Sequence, residues 1–285
     1  MSRQFRAGKP RDGLTLNRLS QPLQQATLMR TTAGVRSFRV LGIRVDALQI
    51  PEVIEKLEGW IQEGRRSHFV SLTNVNNVME ARKDPAFRKI QDSADLSLPD
   101  GMPLVWIGRL NGHPLRRRVY GPDLFLDFCR KTEGKGYSHF FYGGASGVGE
   151  QLVDEMSRRF PGTKIAGIYS PPFRELSQQE DALVVEKINQ TVPDVLWVGL
   201  GCPKQERWIY EHRNRLRVPV IAGIGYAFDI CSGRARQAPR WMREHGLEWL
   251  FRLCTEPRRL WRRYLIYNTE FVLNLLFEIA RQSFD

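Results

Sequence analysis

Asp100 stands in Leu98-Pro-Asp-Gly101, directly after a short apolar run and ahead of an apolar helix pattern. A carboxylate at the carboxyl end of a strand is placed to accept a proton from an attacking hydroxyl. The same residue type also caps helices and makes turns, and spacing alone favours that plainer role. Two glycine loops, Gly143-Gly-Ala-Ser-Gly-Val-Gly149 and Gly199-Leu-Gly-Cys-Pro203, each run from a strand pattern into a helix pattern. There, free backbone N–H groups and the helix dipole favour a phosphate, although a tight turn explains the glycines as well. Neither loop is a strict G-x-G-x-x-G, no acid is placed to hold a nicotinamide ribose, and the phosphate-loop signature is absent. A nucleotide sugar therefore fits better than a redox dinucleotide. No Asp-x-Asp motif accompanies Asp100, so the charge of a departing diphosphate would fall to arginines and backbone N–H groups, with no metal and no cofactor expected. Cys202 has no adjacent base and reads as a small loop residue.

The elements that must position these residues alternate. A strand is expected over Arg39–Val45, a helix over Pro51–Ile61, a strand over His68–Leu72, a helix over Asn76–Ile90 and a short strand over Leu96–Leu98. Helices follow over Met102–Leu110 and Pro122–Lys131, flanking a basic loop at Arg116–Arg118. The second half repeats the rhythm more plainly, with strands over Ser138–Tyr142, Lys164–Tyr169, Asp194–Val198 and Val218–Ile224 and helices between them. Strand–loop–helix units in series predict an α/β fold with a mainly parallel sheet and a ligand crevice at the carboxyl ends of the strands. Three regions are expected: a basic tail at 1–35, a core at 36–245, and an Arg- and Trp-rich appendage at 246–285 ending in an amphipathic helix over Arg258–Ala280.

Charge sharpens that division. The chain of 285 residues carries a net +12. Nine basic residues against Asp12 put +8 on residues 1–45, and nine arginines against three glutamates put +6 on 234–263. The body between these ends is near neutral, so the partner to explain is anionic. The C-terminal arginines are interleaved with Trp241, Trp249, Phe251, Trp261 and Tyr264, a composition suited to a lipid headgroup layer. A solvated basic face is the bland alternative for such a run. Nucleic acid is the rival partner, but no helix-turn-helix, RNP or finger pattern appears, so none is expected. No apolar run reaches the roughly 18–20 residues of a membrane span, and no secretory h-region follows the basic start. Four scattered cysteines without a Cys-x-x-Cys pair fit a reduced cytosolic setting.

Read together, a set of ordered motifs resembles the WecG/TagA/CpsF glycosyltransferases over about residues 38–268. They are Asp100-Gly-Met-Pro-Leu-Val-Trp106, Arg118-Val-Tyr-Gly-Pro-Asp-Leu124, Phe141-Tyr-Gly-Gly144, Pro193 to Glu206, Gly223-Ile-Gly-Tyr-Ala-Phe-Asp229, Ala238-Pro-Arg-Trp241 and Gly246 to Arg258. The resemblance implies a Rossmann-like core of the GT-E type with a C-terminal appendage that helps close the site and touches the membrane. It also implies inverting, metal-independent transfer of a sugar from a nucleotide diphosphate donor, UDP-linked by expectation, to a polyprenyl-diphosphate-linked sugar during cell-surface polysaccharide or exopolysaccharide synthesis. The setting it implies is the cytoplasmic face of the membrane, with peripheral attachment and self-association left open. By resemblance Asp100 matches the catalytic base, Asn74, Arg118 and Gln205 match donor-pocket residues, and Arg252, Arg259 and Arg262 match appendage arginines that meet the diphosphate or the anionic membrane surface.

Two departures stand out. The family's T-x-N reads Ser71-Leu-Thr-Asn74 here, so Leu72 takes the threonine position. Thr73 is the substitute donor-binding candidate, although strand alternation points it to the opposite face. Tyr169-Ser-Pro-Pro-Phe173 replaces a loop that carries Gly, His and Asp in many relatives, and that region bears on sugar choice. The Leu72 departure also keeps open a catalytically inactive membrane scaffold in the same pathway.

Overall fold

A computed structural model describes residues 34–64 and 66–282. The expected basic tail lies outside the described residues up to position 33, and Val35 is already buried. The strands are β1 (Ser37–Val40), β2 (Ile43–Asp46), β3 (His68–Thr73), β4 (Leu96–Pro99), β5 (Ser138–Gly143), β6 (Lys164–Tyr169), β7 (Val195–Gly199) and β8 (Val220–Gly223). The helices are α1 (Ile50–Glu63), α2 (Val75–Lys83), α3 (Pro85–Asp92), α4 (Met102–Leu110), α5 (Gly121–Thr132), α6 (Val148–Arg159), α7 (Gln178–Thr191) and α8 (Lys204–His212). Short α9 (Ala227–Cys231), α10 (Arg240–Glu244), α11 (Glu248–Thr255) and α12 (Pro257–Trp261) lead through a π turn (Arg262–Ile266) into α13 (Tyr267–Gln282).

Six strands form one parallel sheet in the order β4-β3-β8-β7-β5-β6, as the alternating pattern predicts. The central strands are buried on both faces because helices cover both. Val70, Leu72, Phe141, Trp197 and Ala222 pack with α1, α5 and α6, while Phe69, Tyr142, Val198 and Ile221 pack with α7 and α8. The helix after β7 and the helix after β5 thus leave on opposite faces, which opens a crevice between those strand ends. There the backbones nearly touch: a Cβ on Gly143 would lie 2.6 Å from the Gly199 carbonyl carbon, and one on Gly199 would meet Phe228 at 2.6 Å.

Two expected elements differ. Arg39–Val45 is a two-stranded antiparallel hairpin rather than one strand, turning at Leu41 and Gly42 with φ of 49° and 83°. That pair of positive φ values is the geometry of a tight hairpin turn, and Leu is an uncommon residue to supply it. The helix expected over Asn76–Ile90 breaks at Asp84-Pro85, where Asp84 ends α2 and caps α3 by accepting the Ala86 N–H at 2.8 Å.

The C-terminal helical run docks along α2. Phe271 is buried among the hairpin, α2 and α4 side chains, the Tyr267 hydroxyl donates to Glu80 at 2.9 Å, and Lys83 pairs with Glu270 at 2.6 Å. Its opposite face exposes Trp261, Leu265, Ile266, Val272, Leu273, Leu276 and Phe277. The run is thus apolar on its outward side as well, which the expected amphipathic pattern did not separate. Among the described residues no helix is long and apolar enough to cross a membrane.

Candidate active site

Pairing of β3 with β4 sets Thr73 beside Pro99, so the residues that follow, Asn74 and Asp100, leave the sheet side by side. The Asp100 N–H donates to the Thr73 carbonyl at 2.9 Å, and a Cβ on Gly101 would lie 3.6 Å from the Asn74 Cβ, so the two turns run in van der Waals contact. Asn74 is itself fixed, because it caps α2 by accepting the Asn76 N–H at 2.9 Å. Arg118 comes from the loop ahead of α5, which is tied to the same edge by the Val119 N–H on the Pro99 carbonyl at 2.8 Å.

The Asp100 residue is partly exposed, but its Oδ1 is sequestered and has no hydrogen-bond partner. Burial pushes its carboxyl up to about 7. Arg118 pulls the other way, Glu248 adds to the rise, and the Asn74 amide and Gly121 N–H favour the ionised form. A carboxyl balanced near neutrality with an unused oxygen is suited to accept a proton.

Arg118 makes two contacts that fix it. Nη1 donates to the Asp100 main-chain carbonyl at 3.2 Å, and Nη2 is ion-paired with Glu248 of α11, while the guanidinium lies 4.0 Å from the Tyr120 ring centre. Tyr120 also donates its hydroxyl to Glu248 at 3.0 Å. Asp100, Asn74 and Arg118 are thus brought together, and a residue from the C-terminal segment joins them.

Gln205 reaches the same end of the sheet from α8 but turns inward. Its Oε1 accepts the Gly201 N–H at 3.1 Å and its Nε2 donates to Glu206 at 3.0 Å, while added Cβ atoms on Gly223 and Gly225 would lie 2.9 and 3.1 Å from its amide. Gln205 therefore clamps the β7 and β8 loops together from behind. Glu206 is fully buried, and burial pushes its carboxyl up despite the Gln205 and Asn77 amides that donate to it. Cys202, whose thiol burial pushes up strongly, accepts a contact from the Asn76 amide at 3.1 Å, consistent with a loop residue.

Thr73 is set apart from this group. Its hydroxyl is wholly buried with Ser97 at 2.7 Å and Gln91 at 2.7 Å, in a network that also holds Ser71. Leu72 faces the other side, where its Cδ1 lies 3.1 Å from a Cβ built on Gly121. Of the appendage arginines, Arg252 stacks 3.7 Å from the Tyr226 ring centre, with its Nε buried and unpartnered. Arg259 is exposed and pairs with Glu256, and Arg262 is exposed over Trp261 at 5.2 Å. Burial raises the Tyr264 hydroxyl, and the nearby Arg252, Arg263 and Arg259 charges lower it, so the C-terminal arginines share one field around that ring.

Sequence reasoning missed Glu248, Tyr120, Tyr226 and Arg263. Glu248 counted only as one of three acids diluting an arginine run; its place in Gly246-Leu-Glu-Trp was the available signal.

Comparison with known proteins identifies the chain's relatives. Residues 38–284 match the model of the glycosyl transferase WecG/TagA/CpsF family. An N-acetylglucosaminyldiphosphoundecaprenol N-acetyl-beta-D-mannosaminyltransferase of Bacillus spizizenii is 36% identical over 217 residues, covering 76% of this chain and 82% of that protein. Its namesakes in Bacillus subtilis and Staphylococcus aureus are 33% and 27% identical, covering 74% and 78% of this chain and 80% and 86% of their own lengths.

Proposed function

The chain belongs to the WecG/TagA/CpsF family of glycosyl transferases, and from that premise we propose that it moves an N-acetylhexosamine-type sugar from a nucleotide diphosphate donor to a polyprenyl-diphosphate-linked sugar. The observation that carries this reading is Asp100, a carboxyl held near neutrality with one oxygen sequestered and unpartnered where the β3 and β4 ends meet Arg118.

In the proposed reaction the acceptor hydroxyl oxygen attacks the anomeric carbon while Asp100 takes its proton. The bond from that carbon to the diphosphate breaks, and the electron pair leaves on the nucleoside diphosphate. A single displacement inverts the centre and needs no enzyme nucleophile, which suits the β product in the relatives' names if the donor is α-linked. Asn74 and Arg118 line the donor side, and Gln205 and Thr73 hold the loops and strands beneath it. Charge developing on the leaving diphosphate falls to guanidinium and backbone N–H groups, so no step requires a metal. Arg252, Arg259 and Arg262 face the acceptor diphosphate and an anionic membrane surface, where each basic side chain contributes on the order of 1 kcal/mol to attachment. The outward apolar side of the C-terminal helical run supports peripheral attachment there. Leu72 packs against Gly121 where the family has its threonine, and the scaffold alternative that this departure keeps open differs from the enzyme in predicting no product.

The test is donor consumption with polyprenyl-diphosphate N-acetylglucosamine in vesicles, starting from UDP-N-acetylmannosamine and continuing through other UDP- and GDP-sugars. A disaccharide lipid formed from one donor is the expected result; no product from any of them overturns the enzyme reading.

A further inference from the structure

Arg118 joins two acidic residues from distant parts of the chain, donating to the main-chain carbonyl of one and pairing with the carboxylate of the other. One is Asp100 at the end of β4; the other is Glu248 in α11, which holds Arg118 Nη2 with one oxygen and accepts the Tyr120 hydroxyl at 3.0 Å with the other. The Arg118 and Glu248 side chains are 13% and 12% exposed, so water screens this pair little. A lone guanidinium beside a carboxylate would stabilise its ionised form and weaken it as a base.

We propose that Glu248 is a positioning residue: by engaging the Arg118 guanidinium it keeps that cation from neutralising Asp100, so the base is ready only when the C-terminal segment is docked. This rests on the reading of Asp100 as the base. The charged and titratable groups around the pair are few. Arg118, Tyr120 and Glu248 face Asp100, and Asp123 and Tyr264 also lie within the field of Glu248. Arg243 faces Tyr120 at 5.5 Å and pairs with Asp123 at 3.5 Å, so the adjoining cation is already occupied. Removing the Glu248 charge therefore leaves Arg118 facing Asp100 with no rival anion at hydrogen-bond distance among the described contacts.

The experiment compares pH–rate profiles of the full chain on vesicle-held acceptor for the wild type, Glu248→Gln and Asp100→Asn. Glutamine keeps the shape and one acceptor oxygen, so the fold should hold, which a melting curve checks. The wild type should show an acidic limb with a midpoint near 7. In Glu248→Gln that midpoint should fall by about one pH unit or more, with the alkaline plateau of kcat reduced several-fold and KM for the donor little changed. A plateau loss with an unmoved midpoint makes Glu248 merely structural and overturns the proposal. Should Asp100→Asn turn over like the wild type, the reading of the base fails instead, whatever Glu248→Gln does.

Discussion

Asp100 and Glu206 both follow strands at the carboxyl edge of one sheet, and burial raises both carboxyls above their ordinary range, yet their surroundings differ in kind. Glu206 is fully buried, and one oxygen takes the amides of Gln205 and Asn77 at 3.0 and 3.1 Å, joining α8 to α2. Asp100 is partly exposed and stands against an arginine already paired with a second carboxylate. Burial alone yields a shifted acid. Access, together with a nearby charge pair that fixes its proton affinity, is what suits one of the two for catalysis.

The sharpest way to break this contrast is to neutralise each acid. Asp100→Asn should lower the transfer rate by about 10²–10⁴-fold in initial-rate assays, with donor binding retained. Glu206→Gln should lower it less than about tenfold, because the carboxyl is fully buried behind the loops and out of reach of substrate; equal losses in the two variants would erase the distinction. A second test separates what delivers the surroundings. Asp100 depends on the C-terminal segment, whereas Glu206 depends on core helices. Phe271→Ala empties the buried anchor of α13 and should cost about 3 kcal/mol or more in denaturant unfolding, with faster proteolysis of the segment. A variant that melts like the wild type would show the segment held by something other than this anchor.

The smallest effect lies in pH-dependent stability. An acid whose folded pKa is raised contributes stability fully only below its unfolded value near 4, and that contribution declines as pH rises toward about 7 for Asp100. Asp100→Asn removes the decline, so between pH 5 and pH 8 it should gain about 2 kcal/mol on the wild type in urea titrations. No gain would mean that Asp100 is ionised in the folded protein across that range.

Much of this was legible beforehand, and the exceptions have physical causes. Apolar runs bounded by glycine marked the parallel strands, since central strands are buried on both faces. The hairpin was hidden because Leu41 occupies a left-handed position normally signalled by Gly or Asn. The break at Asp84-Pro85 was overridden by an apolar period that runs through it. Within the site, the cluster of Asn74, Asp100 and Arg118 followed from ordered motifs. The inward turn of Gln205 and the reach of Glu248 did not, because both depend on tertiary partners, the latter 130 residues away in sequence from Arg118. Alternation along β3 foretold that Leu72 and Thr73 face opposite sides, but not that the Thr73 hydroxyl is committed to Gln91 and Ser97.

The near-contact of Gly143 with Gly199 makes the β5 and β7 loops behave as a single part. Neither position accepts a side chain without pushing on backbone or on Phe228, so the two loops cannot diversify independently. The cleft beside them, walled by Ser146, Glu150, Tyr169 and Phe173, carries no such constraint, and Phe173 is 95% exposed. Along this edge of the sheet, Tyr169–Phe173 is therefore freer to accept substitution than the glycine seam beside it.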